Sequence, residues 1–549
     1  MNVSFHARLQ SMLPSRSAAA QGSDVANPAV LRDWLDHLPL ADRGFVLLRM
    51  LEALREFNAT LIAPPRRLAM LEMFERASAG LVGEARNELR DSFPMSAQRL
   101  DETEHVTAFE REMTLGYVEI ACDLCPSAGK VSLLRRSAVA KALMRACLHQ
   151  SAQLWQAFRT HGKPANGVWQ GLHDLFHFAL AAGCADTESA ITTETATASV
   201  RTIYTRALLH AFAKPNQLTQ AQNQQLYASL PVLASWCKLS QAGLAPAGAI
   251  AVYADGDLSP PAPPRGVQID AADRWMLDIH LLLDRFDSLL AGRGGESEIV
   301  ITASRGSGRA VLDAGVVEVL RQVWSKRIER SDSRSADESL LETEVGLSAL
   351  HFILSGNQDF QSALPFVDET GLPAADWAWR ASARGAAKRA RASAVDRSRQ
   401  GYRLHWSADE DARVRVGELI ALAPVASDES QWCFGALRWL QADNGAGVQA
   451  GVELLASPVA VAVYALGEDG ASRAPVRGIL VGESQDEEAG ILVPRPFARD
   501  AVLIEVLRMQ DAADAAAPRI RAADFSVHEA GLYQKLVLSP ETIARIARG

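Results

Sequence analysis

The chain has 549 residues, 48 per cent of them hydrophobic and 22 per cent charged, which supplies apolar material for two to four packed domains and excludes a disordered or fibrous protein. Its net charge of −9 at pH 7 excludes a surface that binds polyanions generically, so any anion site has to be local. Six cysteines scattered through so long a chain suit reduced, buried thiols better than a disulfide framework.

Residues 1–28 are polar and Ala/Ser-rich and are predicted to be a flexible N-terminus. The opening Met1-Asn2-Val3-Ser4-Phe5 lacks the pattern of a secretory signal, and no apolar run reaches bilayer-spanning length; a cytoplasmic protein with no membrane span is expected. Over residues 29–253 apolar side chains recur at three and four. Leu143, Cys147, Leu148, Leu154, Trp155 and Phe158 mark one amphipathic helix, and Trp169, Leu172, Phe176 and Ala179 another, so this stretch is predicted to be a helical domain.

A Pro-rich linker is expected at 254–268 and a second helical region at 269–360. Within that region the periodicity predicts helices over 274–290, 311–327 and 341–354, with a short strand at 298–302. Beyond about residue 389 the texture changes to short apolar runs separated by Gly, Asp and Pro. Strands are predicted at 390–395, 401–406, 419–423, 432–440, 447–454 and 459–464, which suggests a barrel spanning residues 375–465. Further strand-like runs at 477–481, 489–493, 501–508 and 532–538 make residues 466–549 a β-rich extension. The fold class is therefore α+β and multidomain, with a helix-rich N-terminal region followed by an antiparallel β-barrel and further strands.

Four constellations in the front part invite chemistry. His173 and His177 have the i, i+4 spacing of a zinc pair, but no Glu follows the first and no third ligand can be assigned; no metal is predicted. Cys122 and Cys125 lie in an apolar helical stretch without a second pair and read as buried thiols. The run Trp169 to Phe176 loosely resembles the opening of a tetratricopeptide helix pair, but no second copy follows at a fixed period, so an ordinary aromatic core is favoured. Ser304 to Arg309 follows a strand like a phosphate loop yet lacks the Lys and hydroxyl ending, and reads as a turn.

The clearest electrostatic signal lies between Arg380 and Arg403. Eight basic residues (Arg380, Arg384, Lys388, Arg389, Arg391, Arg397, Arg399, Arg403) face one acid, Asp396. Asp396-Arg397-Ser398-Arg399-Gln400-Gly401 has the form D-x-S-x-x-G, and Arg380 to Arg384 the form R-x-x-x-R. Downstream, Val416-Gly417-Glu418, Leu437-Arg438-Trp439 and Ala450-Gly451-Val452-Glu453-Leu454 follow in order. In these segments the sequence resembles the PilZ family of cyclic di-GMP receptors, and the resemblance implies a PilZ-like barrel.

The residue types fit that ligand. An Arg fork can hydrogen-bond guanine O6 and N7, stack on a base or pair with phosphate. A carboxylate accepts from guanine N1–H and N2–H, so Asp396 can read the opposite edge; Ser398 adds a hydroxyl, and Gly401 is expected to leave room for the base. The resemblance thus implies ligand binding by Arg380, Arg384, Arg389, Arg391, Asp396, Ser398 and Gly401, with no catalysis and no cofactor. Only eleven residues separate Arg384 from Asp396, fewer than the family commonly shows. Either the pairing arginines lie later, among Arg389 and Arg391, or the first strand is short.

Gly167 to His173 and Val345 to His351 also look like segments of the long PilZ proteins of Gram-negative bacteria, whose helical N-terminal region precedes the barrel and whose family link is to surface attachment through type IV pili. The expected function is a cyclic di-GMP receptor that signals through its helical region to a protein partner, for which the resemblance points to the type IV pilus machinery. The rival expectation is an interaction scaffold whose barrel has lost the nucleotide.

Overall fold

A computed structural model describes residues 4–18, 26–39, 42–87, 93–127, 129–191, 196–241, 249–254, 256–257, 274–292, 297–325, 334–364, 389–425, 431–443, 445–468, 472–484, 488–498, 501–512, 517–530 and 532–548. Contacts divide the chain into two compact units, one comprising Met1–Asp91, Ser96–Pro215 and Gln220–Arg327, the other Ser92–Met95, Asn216–Thr219 and Ile328–Gly549.

The first unit is built on long helices, among them Arg43–Asn58, Ala97–Leu124, Leu133–Arg159, Val168–Ala181 and Val200–Phe212. Their apolar faces bury Met113, Leu143, Trp155, Leu172 and Phe176, in keeping with the helical periodicity. The N-terminus departs from its flexible expectation. Helix Phe5–Ser11 starts at Ser4, whose hydroxyl accepts from Ala7 N (3.3 Å). Arg8 then pairs with the buried Asp174, and His6 contacts the Cys125 carbonyl at 3.0 Å. Polar composition hid a segment in which Arg8 and His6 have buried partners.

Two predicted helices begin as strands instead. Arg274–Asp278 and Arg309–Asp313 alternate outward and buried side chains and pair in small antiparallel sheets, before helices His280–Gly292 and Ala314–Ser325 begin. The expected linker falls largely outside the described residues. Its Asp257 accepts hydrogen bonds from Gly167 N (2.6 Å), Trp169 N (3.2 Å) and Gln170 N (3.3 Å), capping helix Val168–Ala181 from a distant loop.

In the second unit six strands close on themselves: β1 (Leu340–Val345), β2 (Ala390–Arg397), β3 (Gly401–Trp406), β4 (Leu419–Pro424), β5 (Cys433–Asp443) and β6 (Gly447–Leu454). The ring runs β1-β2-β3-β6-β5-β4 and returns to β1, antiparallel throughout, and the two-residue strand Ser335–Ala336 adds to the sheet outside the ring, pairing with Arg397 and Asp396 of β2. Leu404, Trp406, Val414, Ile420, Leu440 and Val448 fill it. The Trp406 indole donates to Thr343 Oγ1 (3.2 Å), so its polar atom is satisfied inside the core. Phe93, far upstream, also enters this core and exchanges two 3.0 Å backbone hydrogen bonds with Val414.

Strand β1 corrects the helix expected over 341–354. Leu341 and Thr343 point inward and Glu342 and Glu344 outward, and Gly346, at φ 106°, turns the chain into the shorter helix Leu347–Leu354.

Seven more strands follow: β7 (Val459–Leu466), β8 (Val476–Val481), β9 (Gly490–Pro494), β10 (Leu503–Arg508), β11 (Ile520–Ala522), β12 (Phe525–Ala530) and β13 (Tyr533–Leu538). They form a second antiparallel sheet in the order β11-β10-β7-β8-β9-β13-β12. Strand β7, expected from sequence to complete the first barrel, pairs instead with β8 and β10; β1 takes the place foreseen for it.

Candidate functional site

The barrel's period of two decides what its outer surface presents. Along β3, Tyr402, Leu404 and Trp406 are buried in the core, so Gly401, Arg403 and His405 face outward. Cross-strand register then places Asp396 of β2, Arg403 of β3, Gly451 of β6 and Trp439 of β5 in one transverse row. The register shifts between Ala394 and Asp396 and between Leu437 and Trp439, so β-bulges flank the row at both ends. Bulges of this kind re-aim side chains.

Asp396 anchors the row. One carboxylate oxygen accepts from Arg334 Nη1 at 2.6 Å and the other pairs with Arg403 Nη2 at 2.8 Å. The carboxylate is 14 per cent exposed and the two guanidiniums 44 and 38 per cent, so the acid is held in place while its partners still reach solvent. At the far end, Trp439 lies against Gly451 with no side chain between indole and sheet: a Cβ on Gly451 would stand 1.9 Å from Nε1. Beside it Arg438, the bulged residue, pairs with Glu453 at 2.6 Å. In the hairpin between β2 and β3, Ser398 N donates to the Gly401 carbonyl (2.8 Å), and Arg397 lies 5.1 Å from the Tyr402 ring centroid.

The residues expected from sequence divide into four groups. Asp396 lies in the row and Ser398 in the hairpin beside it. Arg380 and Arg384 lie outside the described residues. Arg389 sits at the start of β2, seven residues or about 23 Å of extended chain from Asp396, and there pairs with Glu342 (3.2 Å) and Glu344 (3.3 Å) and lies over Trp432. Arg391 follows it on the outer surface, about 16 Å along the strand from Asp396.

Gly401 has a different role from the one expected. Its missing Cβ faces the Val452 carbonyl, which a side chain would approach to 2.0 Å, so the glycine permits β3 to pair with β6.

Sequence reasoning missed Arg403, Trp439 and Arg334 as site residues. Alternation from Gly401 places Arg403 outward, and the Trp439–Gly451 pairing has a recognisable composition, but the bulge at Arg438 shifts the register and conceals which side Trp439 takes. Arg334 is supplied from outside the barrel sequence. Together Arg334, Arg397, Arg399, Arg403 and Arg438 outnumber Asp396 and Glu453, a locally positive surface on a chain of net charge −9.

The front-half constellations take structural roles. His173 Nδ1 is 2.8 Å from the Tyr204 hydroxyl and His177 Nε2 2.9 Å from the Ala254 carbonyl. Burial pushes the Cys122 thiol up to about 12, away from reactivity. Ser304 to Arg309 is the turn of a hairpin. Among the described residues, no group of three or more His, Cys, Asp or Glu side chains is placed to hold a metal ion, and no helix is long and apolar enough to cross a membrane.

Known proteins resemble the chain across both units. Residues 29–245 match the family described as the N-terminal domain of the cyclic-di-GMP receptor FimW, and residues 254–377 and 374–460 match its middle PilZ domain. The curated cyclic-di-GMP receptor FimW of Pseudomonas aeruginosa is 23 per cent identical over 489 residues, covering 78 per cent of this chain and 77 per cent of that protein. No solved structure gives a significant match.

Proposed function

From the premise that the chain belongs to the FimW family of cyclic-di-GMP receptors, we propose that it binds cyclic di-GMP on the outer face of the first barrel, along the row Asp396, Arg403, Gly451 and Trp439. Family membership makes it a receptor rather than an enzyme. The observation that carries the location is the convergence of a held carboxylate, partly exposed guanidiniums and an indole on one cross-strand row.

Each group has a task that its chemistry suits. Asp396 accepts from guanine N1–H and N2–H, and Ser398 contacts the same ligand from the hairpin. A base taking one carboxylate oxygen releases Arg334 or Arg403 to meet a phosphate or the O6/N7 edge. Trp439 offers a flat surface for the second base, a contact worth about 1–3 kcal/mol in comparable sites. Arg380 and Arg384, in the sequence between β1 and β2, supply further charge for the two phosphates. The ligand needs no metal or cofactor for this recognition.

In the same reading the helical unit passes the signal to a cytoplasmic protein partner, taken from the type IV pilus machinery. The resemblance noted in the sequence supports this assignment.

Isothermal titration of cyclic di-GMP into the full chain tests the site, with Asp396→Ala as the control and GTP as competitor. Saturable heat that GTP does not suppress, lost in Asp396→Ala, is expected. Wild-type protein that gives neither heat nor thermal stabilisation would remove the receptor reading.

A further inference from the structure

The geometry points to a second barrel-like domain, residues 459–548, built on the same strand plan as the first, with its corresponding face converted from a nucleotide surface into an internal docking surface. The number of nucleotide faces, one per chain, rests on the function proposed above; the docking does not.

The two sheets share a strand order. In the first barrel the neighbours run β5-β6-β3-β2-β1-β4 before the ring closes. In the second sheet they run β12-β13-β9-β8-β7-β10, the same arrangement when β7, β8, β9, β10, β12 and β13 are matched in sequence order to β1 through β6. The second ring is opened where β4 and β5 pair in the first: β10 pairs instead with the short β11. Helix Pro540–Arg548 brings Ile543 and Ile546 into the same core as Ile504 and Ile520.

One glycine repeats with the plan. Gly401 opens β3 opposite Glu453, and its absent Cβ faces the Val452 carbonyl. Gly490 opens β9 opposite Val537, and a Cβ there would meet the Leu536 carbonyl at 2.7 Å. In each sheet the carbonyl belongs to the residue just before the glycine's cross-strand partner. The same kind of contact recurs at Gly435 of β5, opposite Leu454, where a Cβ would meet the Glu453 carbonyl at 2.7 Å, so the shared strand order carries the plan and the glycine at the matched position agrees with it.

The equivalent faces differ in chemistry. Matching through these glycines sets the row Asp396, Arg403, Gly451 against Ile479, Leu492, Lys535. In the second sheet Ile491, Val493 and Leu536 point into the core, which turns Ile479 and Leu492 outward. They are nevertheless buried, in a cluster with Leu347 and Leu350 of helix Leu347–Leu354 and with Leu419 and Ala421 of the first barrel. Tyr533 fastens the edge of that contact: its hydroxyl donates to Glu418 and accepts from Leu347 N at 3.3 Å. The carboxylate that reads a base and the arginine that pairs with it have become two aliphatic side chains, and the occupant is a helix of the same chain. Of this row only Lys535 carries a polar group, so the face lacks the carboxylate that would satisfy guanine.

The docking is tested by hydrogen exchange on the full chain with Leu492→Lys and, as a variant that retains the ring packing, Tyr533→Phe. Amides of helix Leu347–Leu354 should exchange at least tenfold faster in Leu492→Lys and measurably faster in Tyr533→Phe, with β3 unchanged in the latter. Unaltered exchange of the helix in both would overturn the docking.

The face count is tested by equilibrium binding of cyclic di-GMP to wild type, Asp396→Ala and Lys535→Ala. Binding abolished by the first substitution and unchanged by the second is expected. Residual binding in Asp396→Ala that disappears when Lys535→Ala is added would overturn the count. If wild type binds nothing, the face count falls with the receptor reading, and the exchange result still decides whether the second domain is docked by this face.

Discussion

Trp439 rests directly on Gly451, so close that a Cβ on the glycine would stand 1.9 Å from the indole nitrogen and 2.6 Å from Cδ1 and Cε2. Gly451→Ala must therefore push the indole off the sheet. With Trp439 stacking a base, this substitution should weaken cyclic di-GMP binding by about tenfold or more, from the loss of a contact of about 1–3 kcal/mol. Titration calorimetry alongside tryptophan fluorescence checks it. A shifted fluorescence spectrum with wild-type affinity would mean that no base stacks on Trp439.

Arg403 and Arg389 make a discriminating pair, because both are basic residues of the same cluster and sit at opposite ends of β2, Arg389 just before its first residue and Arg403 across from Asp396 near its last. Arg389 is committed to Glu342 and Glu344, whereas Arg403 shares Asp396 with Arg334. Arg403→Ala should lower affinity more than tenfold, and Arg389→Ala should leave it within about threefold. The reverse outcome would move the site to the β1 end of the barrel.

Gly401→Ala should abolish binding for a reason unrelated to ligand contact. Its Cβ would meet the Val452 carbonyl at 2.0 Å, backbone against backbone, with no flexible group to yield. A loss of about 3 kcal/mol in barrel stability is expected, at the upper end for overpacking. Chemical denaturation separates this from a binding defect: a variant of wild-type stability that fails to bind would restore the idea that this glycine makes room for the base.

Much of the second unit was legible in the sequence because its strands are short apolar runs separated by Gly, Asp and Pro. Asp396 and Ser398 could be placed at one hairpin from spacing alone. The strand Leu340–Val345 was hidden, since its six residues run through a single Gly346 into a helix and the joined segment reads as one helical pattern. Register was hidden too, because bulges at Val395 and Arg438 break the period of two on which sequence reasoning depends. Partners distant in sequence, such as Arg334 with Asp396 or Phe93 in the barrel core, leave no local signal.

Phe93 illustrates that last class and can be tested by itself. It is 1 per cent exposed and packs with Val414 and Trp406 in the barrel, although nearly 250 residues separate it from β1. Phe93→Ala should cost about 3–5 kcal/mol, as expected for emptying a buried aromatic site. The loss should register as faster hydrogen exchange in β2 and β3. Unchanged exchange there would show that the barrel closes without this residue.

In the helical unit, His149 should make stability depend on pH. Its Nδ1 is 2.6 Å from Glu110 Oε2 and its Nε2 2.9 Å from Glu75 Oε1, with Arg145 also on Glu75 (3.2 Å) and Tyr117 stacked on the ring. Burial alone would lower its pKa, but the hydrogen bonds and charges of Glu110 and Glu75 outweigh it and hold the imidazolium up to about 9. With His149 charged, two carboxylates face two cations; deprotonation leaves one buried carboxylate uncompensated. The folded-state pKa exceeds the unfolded value of about 6.5, so the contribution is complete below pH 6.5, shrinks above it and is gone past pH 9. The shift corresponds to roughly 3 kcal/mol. Denaturant midpoints between pH 6 and 10 should therefore fall for wild type, while His149→Gln should start lower at pH 6 and vary less. Parallel curves for the two proteins would show that this imidazole does not carry the proton that folding retains.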